Sequence, residues 1–255
     1  VIRIRRGLGV APTKLTTDAP TALAKVQALR ASRTLGTKDF DGKVYGHEDV
    51  KKALWKMQHG KCCFCEKEME VSYGTVEHFR PKTSATDDAG TKREGYWWLA
   101  YEFENFYLSC INCNQPKGDY FPLASGNPLT AGTLPSAASP PEDHVFLDPG
   151  KDLPERHIEW KFVRGKGMVP LGKTTRGTKT IRKLKLHLRD ELAKFRGRHY
   201  RDVIVPIVKR YVDAKKANDT VRLDEVMKDV RRQAHARAPY AAMARAVFRQ
   251  SNIPL

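Results

Sequence analysis

Cys62-Cys63-Phe64-Cys65, then Glu77-His78-Phe79-Arg80-Pro81-Lys82, then Cys110-Ile111-Asn112-Cys113-Asn114-Gln115-Pro116-Lys117: the fold is decided by how these three segments are read together. A C-x-x-C turn brings two thiolates to one metal at about 2.3 Å, and two such turns close a tetrahedral zinc shell. Four thiolates leave no position for a substrate, so Cys62, Cys65, Cys110 and Cys113 predict a structural Zn²⁺ site. The 44 residues between Cys65 and Cys110 are too many for a simple ribbon, so something is inserted between the knuckles. Cys63 cannot replace a neighbour without losing the two-residue spacer and reads as a spare thiol. His59 finds the shell already filled and reads as an ordinary turn histidine.

The insertion carries residues suited to phosphodiester hydrolysis, which needs a nucleophilic water, charge relief on the phosphate and stabilisation of the leaving oxygen. His78 can serve as the base. Glu77 and Asn114 offer hard oxygens to a divalent ion. Neighbouring residues on a strand face opposite ways, so Glu77 and His78 serve one site only if the chain bends or ends there, and Pro81 predicts a strand terminus. Arg80 and Lys82 follow the base closely enough to touch flanking phosphates; the alternative is a solvated strand end. Lys117, near the start of the helix expected after the second knuckle, is a further candidate phosphate contact.

Outward from this stretch, the 255 residues are 40% hydrophobic and 29% charged, the balance of a soluble globular chain without a membrane span. The start, Val1-Ile2-Arg3-Ile4-Arg5-Arg6, lacks the apolar run of a secretory signal. Cysteines in x-x-spaced pairs suit a reducing compartment and a metal better than a disulfide framework, so a cytoplasmic location is expected. Of the net charge of +17, +14 falls between Leu171 and Leu255, where 22 Lys and Arg stand against 8 Asp and Glu. Such a balance implies a polyanionic partner, most simply nucleic acid, although basic helices can also be mere solvated faces.

Helices are expected over 21–35 and 47–58, the latter striped by Val50, Leu54 and Met57 and stopped by Gly60. Met69-Glu70-Val71 and Thr75-Val76 suggest a hairpin-like pair leading into His78. Residues 85–94 read as a surface loop, and Gly95-Tyr96-Trp97-Trp98-Leu99-Ala100-Tyr101-Glu102-Phe103-Glu104-Asn105 as buried scaffold rather than a stacking platform. The Pro/Gly/Ser/Ala-rich interval 124–142 reads as a linker or a long surface loop. A hairpin is expected across Arg164-Gly165-Lys166, and helices from Thr174 onward, with Pro206 kinking or ending one of them.

The order C-x-x-C, Glu77-His78, Asn105 five residues before the second C-x-x-C, then Asn114 and Lys117 resembles the HNH endonucleases, whose catalytic unit is a ββα-metal fold. The resemblance implies that His78 is the general base, Glu77 the acidic metal ligand, Asn105 the asparagine that steadies the base's loop, and Asn114 the last motif position. That position is histidine in many members, and an asparagine there narrows the catalytic ion to Mg²⁺ or Mn²⁺. The strings EHFRPK, GYWWLAYEFEN, SCINCN, FLDP (146–149) and RGTKTI (176–181) are similar to one bacterial HNH family that includes nuclease subunits of Septu and retron-associated antiphage defence systems. Membership would imply cleavage of nucleic acid, most simply DNA, to a 5′-phosphate and a 3′-hydroxyl, beside an ABC/SMC-type ATPase subunit. The expected architecture is α+β: a helical segment 1–60, a zinc-stabilised ββα-metal core 61–123, a linker and small β hairpin 124–172, and a basic helical region 173–255. The rival readings are a non-catalytic zinc module that binds DNA and an assembly subunit that docks on the ATPase.

Overall fold

Leu15, Ala22 and Val26 share one face at helical spacing, and they bury α1 (Thr13–Ser32) against the core of a computed structural model that describes residues 1–255, the side chain of Leu8 excepted. The helix begins well before the expected residue 21. Pro20 lies on its exposed face, so the missing hydrogen bond is tolerated where packing on the other face holds the helix. After the short α2 (Gly42–Tyr45), α3 (Glu48–Met57) buries Val50, Leu54 and Met57 as its spacing predicts. His47 caps α3 by accepting from the Asp49 amide at 3.2 Å. Gly60, at φ +71°, turns the chain into the first knuckle.

The hairpin expected around Ser72-Tyr73-Gly74 does not form. Val71–Tyr73 is a single 3-10 turn, and β1 (Gly74–His78) pairs instead with the distant β4 (Phe106–Cys110), antiparallel, placing Glu77 opposite Tyr107 and His78 opposite Phe106. Buried Phe106, Tyr107 and Leu108 offer a longer apolar partner than Met69-Glu70-Val71, which the charged Glu70 interrupts and which stays partly exposed. A Cβ at Gly74 would lie 2.7 Å from the Leu108 side chain, so glycine admits the strand at its closest point. Between β1 and β4, β2 (Ser84–Thr86) and β3 (Lys92–Glu94) make a small hairpin inside the expected loop. β4 runs without a break into α4 (Ile111–Lys117), which packs back on β1 and β4. Two antiparallel strands and a helix thus share one small unit.

Past the Pro-rich interval, α5 (Pro154–His157) leads into the expected hairpin, β5 (Ile158–Val163) with β6 (Gly167–Gly172). Then follow α6 (Thr175–Lys183), α7 (Asp190–His199), α8 (Val205–Lys216), α9 (Thr220–Ala234) and α10 (Ala241–Gln250). Pro206 does not end the helical path: a π turn at Tyr200–Ile204 takes up the break and delivers the proline to the first turn of α8. At Gly167, φ +107°, a Cβ would meet the Ala193 carbonyl at 2.1 Å, so α7 lies directly on β6.

The buried apolar side chains form one cluster running from Val1 through the cysteines and Phe146 to Phe248 and Ile253. The mixed α+β character is as expected. α10 departs from the picture of a basic solvated helix, because Ala241 to Ala244 and Ala246 to Phe248 are all buried. Among the described residues no helix is long and apolar enough to cross a membrane.

Candidate functional site

The four cysteines converge at the end of β4. Cys62 and Cys65 come from the turn after α3, Cys110 ends β4, and Cys113 sits in α4, with all four sulfurs within 4.8 Å of one another. The Cys65 and Cys110 sulfurs are 3.7 Å apart, close to the roughly 3.8 Å edge of a tetrahedron with metal–sulfur bonds of about 2.3 Å. The Cys110 amide donates to Cys62 Sγ at 3.3 Å, and the Glu66 amide donates to the Cys62 carbonyl at 3.0 Å. The donor set therefore fits zinc, and Cys63 lies outside it.

His78 is the last residue of β1, at the expected strand end, but the alternation persists and Glu77 and His78 leave the strand end on opposite faces. Its ring is 7% exposed, packed edge-on against Tyr45 and Phe106 at centroid distances of 4.8 and 4.9 Å. Nε2 lies 2.9 Å from the Ala100 carbonyl, which can only accept, so Nε2 carries the proton and Nδ1 keeps its lone pair. Nδ1 takes no partner from the protein and is not among the fully buried unpartnered atoms. Burial, with the charge of Lys82 next, holds the imidazole well below its usual value, against the pull of the Ala100 bond. The ring is therefore neutral at pH 7.

Glu77 turns to the other side, toward α4. Its Oε1 pairs with Lys117 Nζ at 2.7 Å, and its Oε2 accepts from Asn114 Nδ2 at 2.7 Å. Lys117 also donates to the His78 carbonyl at 3.1 Å, tying the two faces of the strand end together. Burial pushes the Glu77 carboxyl above its usual range, and the Lys117 charge and hydrogen bond offset this only in part. Lys117 is thus buried against Glu77 rather than free on the surface.

Asn105, 1% exposed, is a backbone staple. Its Oδ1 accepts from the Arg80 amide at 2.8 Å, while Nδ2 donates to the Arg80 carbonyl at 2.9 Å and the Leu99 carbonyl at 3.2 Å. The segment leaving His78 is thereby locked to the segment that supplies the Ala100 carbonyl. Arg80 itself does not reach the surface: its guanidinium lies 2.8 Å from Glu142, with both side chains buried, so its expected place among phosphate contacts is corrected to a structural one. Lys82 is half-buried, its ammonium 4.8 Å from the Tyr45 ring centre, and burial lowers its pKa to about 8.

Several supporting residues were not singled out from the sequence. Gln58 clamps the end of α3 to β4, donating to the Leu108 carbonyl at 2.7 Å and accepting from the Leu108 amide at 2.7 Å. Glu142, inside the interval read as a linker, receives Arg80, the Tyr96 hydroxyl and the Leu129 amide. No local pattern marks either residue, since a lone Gln or Glu has the same appearance on a surface. The FLDP and RGTKTI strings meet each other: the Leu147 amide donates to Thr180 Oγ1 at 3.0 Å, and Arg176 forms a forked pair with Asp152 at 2.7 Å for each arm. Asp148 receives the Tyr107 hydroxyl from the strand opposite Glu77. These strings buttress the site from behind.

Comparison with known proteins adds a relationship. The chain is 33% identical over 210 residues to Septu protein PtuB of Bacillus mycoides (strain KBAB4), covering 80% of this chain and 68% of that protein. It is 31% identical over 134 residues to Septu protein PtuB of Bacillus thuringiensis, covering 52% and 40%. Septu protein PtuA of Bacillus mycoides (strain KBAB4) aligns at 27% over 153 residues, 59% of this chain but 21% of that protein. No protein-family model matches. No solved structure shows a significant match.

Proposed function

This chain belongs to the PtuB family of Septu proteins, and on that premise we propose that it is the metal-dependent HNH nuclease subunit of an antiphage defence system, acting with a PtuA-type ATPase subunit. The observation that carries the reading is His78: a buried, neutral imidazole whose Nε2 proton is committed to the Ala100 carbonyl, leaving Nδ1 as the acceptor. A general base needs that arrangement. The antiparallel β1 and β4 followed by α4 support a ββα-metal core, with Asn105 holding the base's loop.

In this mechanism His78 Nδ1 takes a proton from a water as its oxygen attacks the phosphorus of a nucleic-acid backbone. The 3′-oxygen departs and is protonated from solvent, leaving a 3′-hydroxyl and a 5′-phosphate. Glu77 and Asn114 would hold Mg²⁺ or Mn²⁺ through hard oxygens, the Asn114 amide presenting its oxygen where it now donates to Glu77. When bound, that ion relieves charge on the scissile phosphate and the leaving oxygen. Lys117, 2.7 Å from Glu77, favours its charged form against the burial that opposes it, and Lys82 faces the same region as a phosphate contact.

One observation favours a second reading, a non-catalytic subunit for assembly or DNA binding: both Glu77 oxygens already have partners within the protein. Cleavage of plasmid DNA, single strands and tRNA by wild type and His78→Ala, with and without the copurifying partner, in Mg²⁺, Mn²⁺ or EDTA, separates the two. The nuclease reading expects metal-dependent cuts that His78→Ala loses. It falls if no substrate is cut in the complex, or if His78→Ala cuts as well as wild type.

A further inference from the structure

Arg196 on α7 is an anomaly. Its side chain is 1% exposed, yet its only hydrogen bond runs from Nη2 to the Cys65 carbonyl at 2.8 Å, and Nε and Nη1 have no partner among the described residues. Its guanidinium stacks over the Trp160 ring, 4.5 Å from the centre. A guanidinium is always charged, and burying it without a counter-anion is strongly unfavourable. Glu66, the nearby carboxylate, is turned instead to the Ala242 amide at 3.2 Å, at the start of α10.

A second arginine stands at the other end of the same helix's first turns. Arg189, the residue preceding α7, donates from Nη1 to Cys113 Sγ at 3.3 Å and from Nη2 to the Leu184 carbonyl at 2.8 Å and to the Asn112 carbonyl. One helix therefore brings two guanidiniums to the four cysteines, one onto a sulfur and one onto the backbone of the Cys62–Cys65 turn. Four thiolates around Zn²⁺ carry two negative charges, and two guanidiniums carry two positive ones.

We infer that Arg189 and Arg196 are the counter-charge of a zinc tetrathiolate, so that zinc binding and the docking of α7 onto the knuckles stabilise each other. The inference concerns the zinc centre and goes beyond the nuclease reading. The coupling is reciprocal: removing either arginine weakens zinc, and removing zinc leaves one buried and one half-buried cation unmatched and loosens α7. Lys61, beside Cys62, extends the same junction, donating to the Ala236 and Ala238 carbonyls at 2.5 and 2.7 Å. The metal thereby becomes the joint between the candidate site and the C-terminal helices.

The test is zinc affinity of the full chain, by competition with a chromophoric chelator, for wild type, Arg189→Met, Arg196→Met, Arg189→Lys and Arg196→Lys. The methionine variants, which keep the apolar volume and lose the charge, should bind zinc about 10- to 100-fold more weakly, the usual loss for groups that support metal ligands. The lysine variants should recover most of that loss. Wild-type zinc affinity in the methionine variants, or lysine no better than methionine, overturns the inference, because purely structural arginines would give either result. Should Arg196→Met fail to fold, the reciprocal measurement on wild type decides: after zinc is stripped, amide exchange in 190–199 should accelerate at least tenfold more than in β5 and β6. Equal exchange in α7 with and without zinc refutes the coupling.

Discussion

Asn105→Ala removes three hydrogen bonds at once, those to the amide and carbonyl of Arg80 and to the Leu99 carbonyl, all buried. A typical hydrogen bond contributes about 1 kcal/mol net, and each buried backbone group left without a partner costs about 1–3 kcal/mol. Water entering the vacated volume recovers part of this, so the expected loss is about 3–5 kcal/mol. A domain stable by about 5–15 kcal/mol then remains folded but measurably weakened. Equilibrium urea unfolding of the zinc-loaded protein is the assay, followed by fluorescence of Trp97 and Trp98, which lie in the segment that Asn105 staples. Asn105→Asp is the control of shape: it keeps the acceptor for the Arg80 amide but turns a carboxylate toward two carbonyls, and it should lose nearly as much. Under the proposed function, both variants should also cut more slowly at protein concentrations where they are fully folded, because the Ala100 carbonyl that orients His78 moves with Leu99. A stability loss below about 1 kcal/mol for Asn105→Ala, within the range of an ordinary surface change, would refute the staple.

Arg80→Ala should cost about 3–5 kcal/mol in the same assay by leaving Glu142 buried and unpaired, while the salt dependence of nucleic-acid binding stays as in wild type; a shallower slope would mean that Arg80 touches a phosphate after all. His78 has a depressed folded pKa, so the unfolded chain binds the extra proton first as pH falls below 6.5, and stability declines from there toward the folded value. Urea midpoints between pH 4.5 and 7.5, on the order of the physiological His range, should be flatter for His78→Phe than for wild type, and an equal slope would place the ring in solvent. Lys82 should titrate near pH 8 in metal-free protein, read by NMR of reductively ¹³C-methylated lysines, and a midpoint near 10.5 would contradict its burial between Phe40 and Tyr45.

Much of the local structure was legible because it follows from short-range rules. The α3 stripe, the hairpin around Arg164-Gly165-Lys166, the C-terminal helices and the burial of the tryptophan segment all follow from spacing, turn chemistry or apolar density. One reading failed for want of a distant partner: the 69–76 hairpin lost to a pairing of β1 with β4. The interval 124–142 is the irregular, mostly exposed loop expected, but Glu142 within it is anchored by Arg80, far along the chain. Arg80 went wrong the same way, since a basic residue near a candidate base looks equally suited to a phosphate and to a carboxylate 62 residues away.

What the sequence by itself determined is the chemistry available: four thiolates at knuckle spacing, an imidazole beside a carboxylate, and amides placed around the second knuckle. Those are properties of residue type and spacing, which need no fold to be read. What only the tertiary structure decided is the state of each group. It set which imidazole nitrogen keeps its lone pair, that Lys117 stands on Glu77, that Arg80 is withdrawn, and that α7 brings two arginines to the cysteines. Protonation, pairing and exposure depend on desolvation and on neighbours brought together across the fold, and neither is encoded in any single segment.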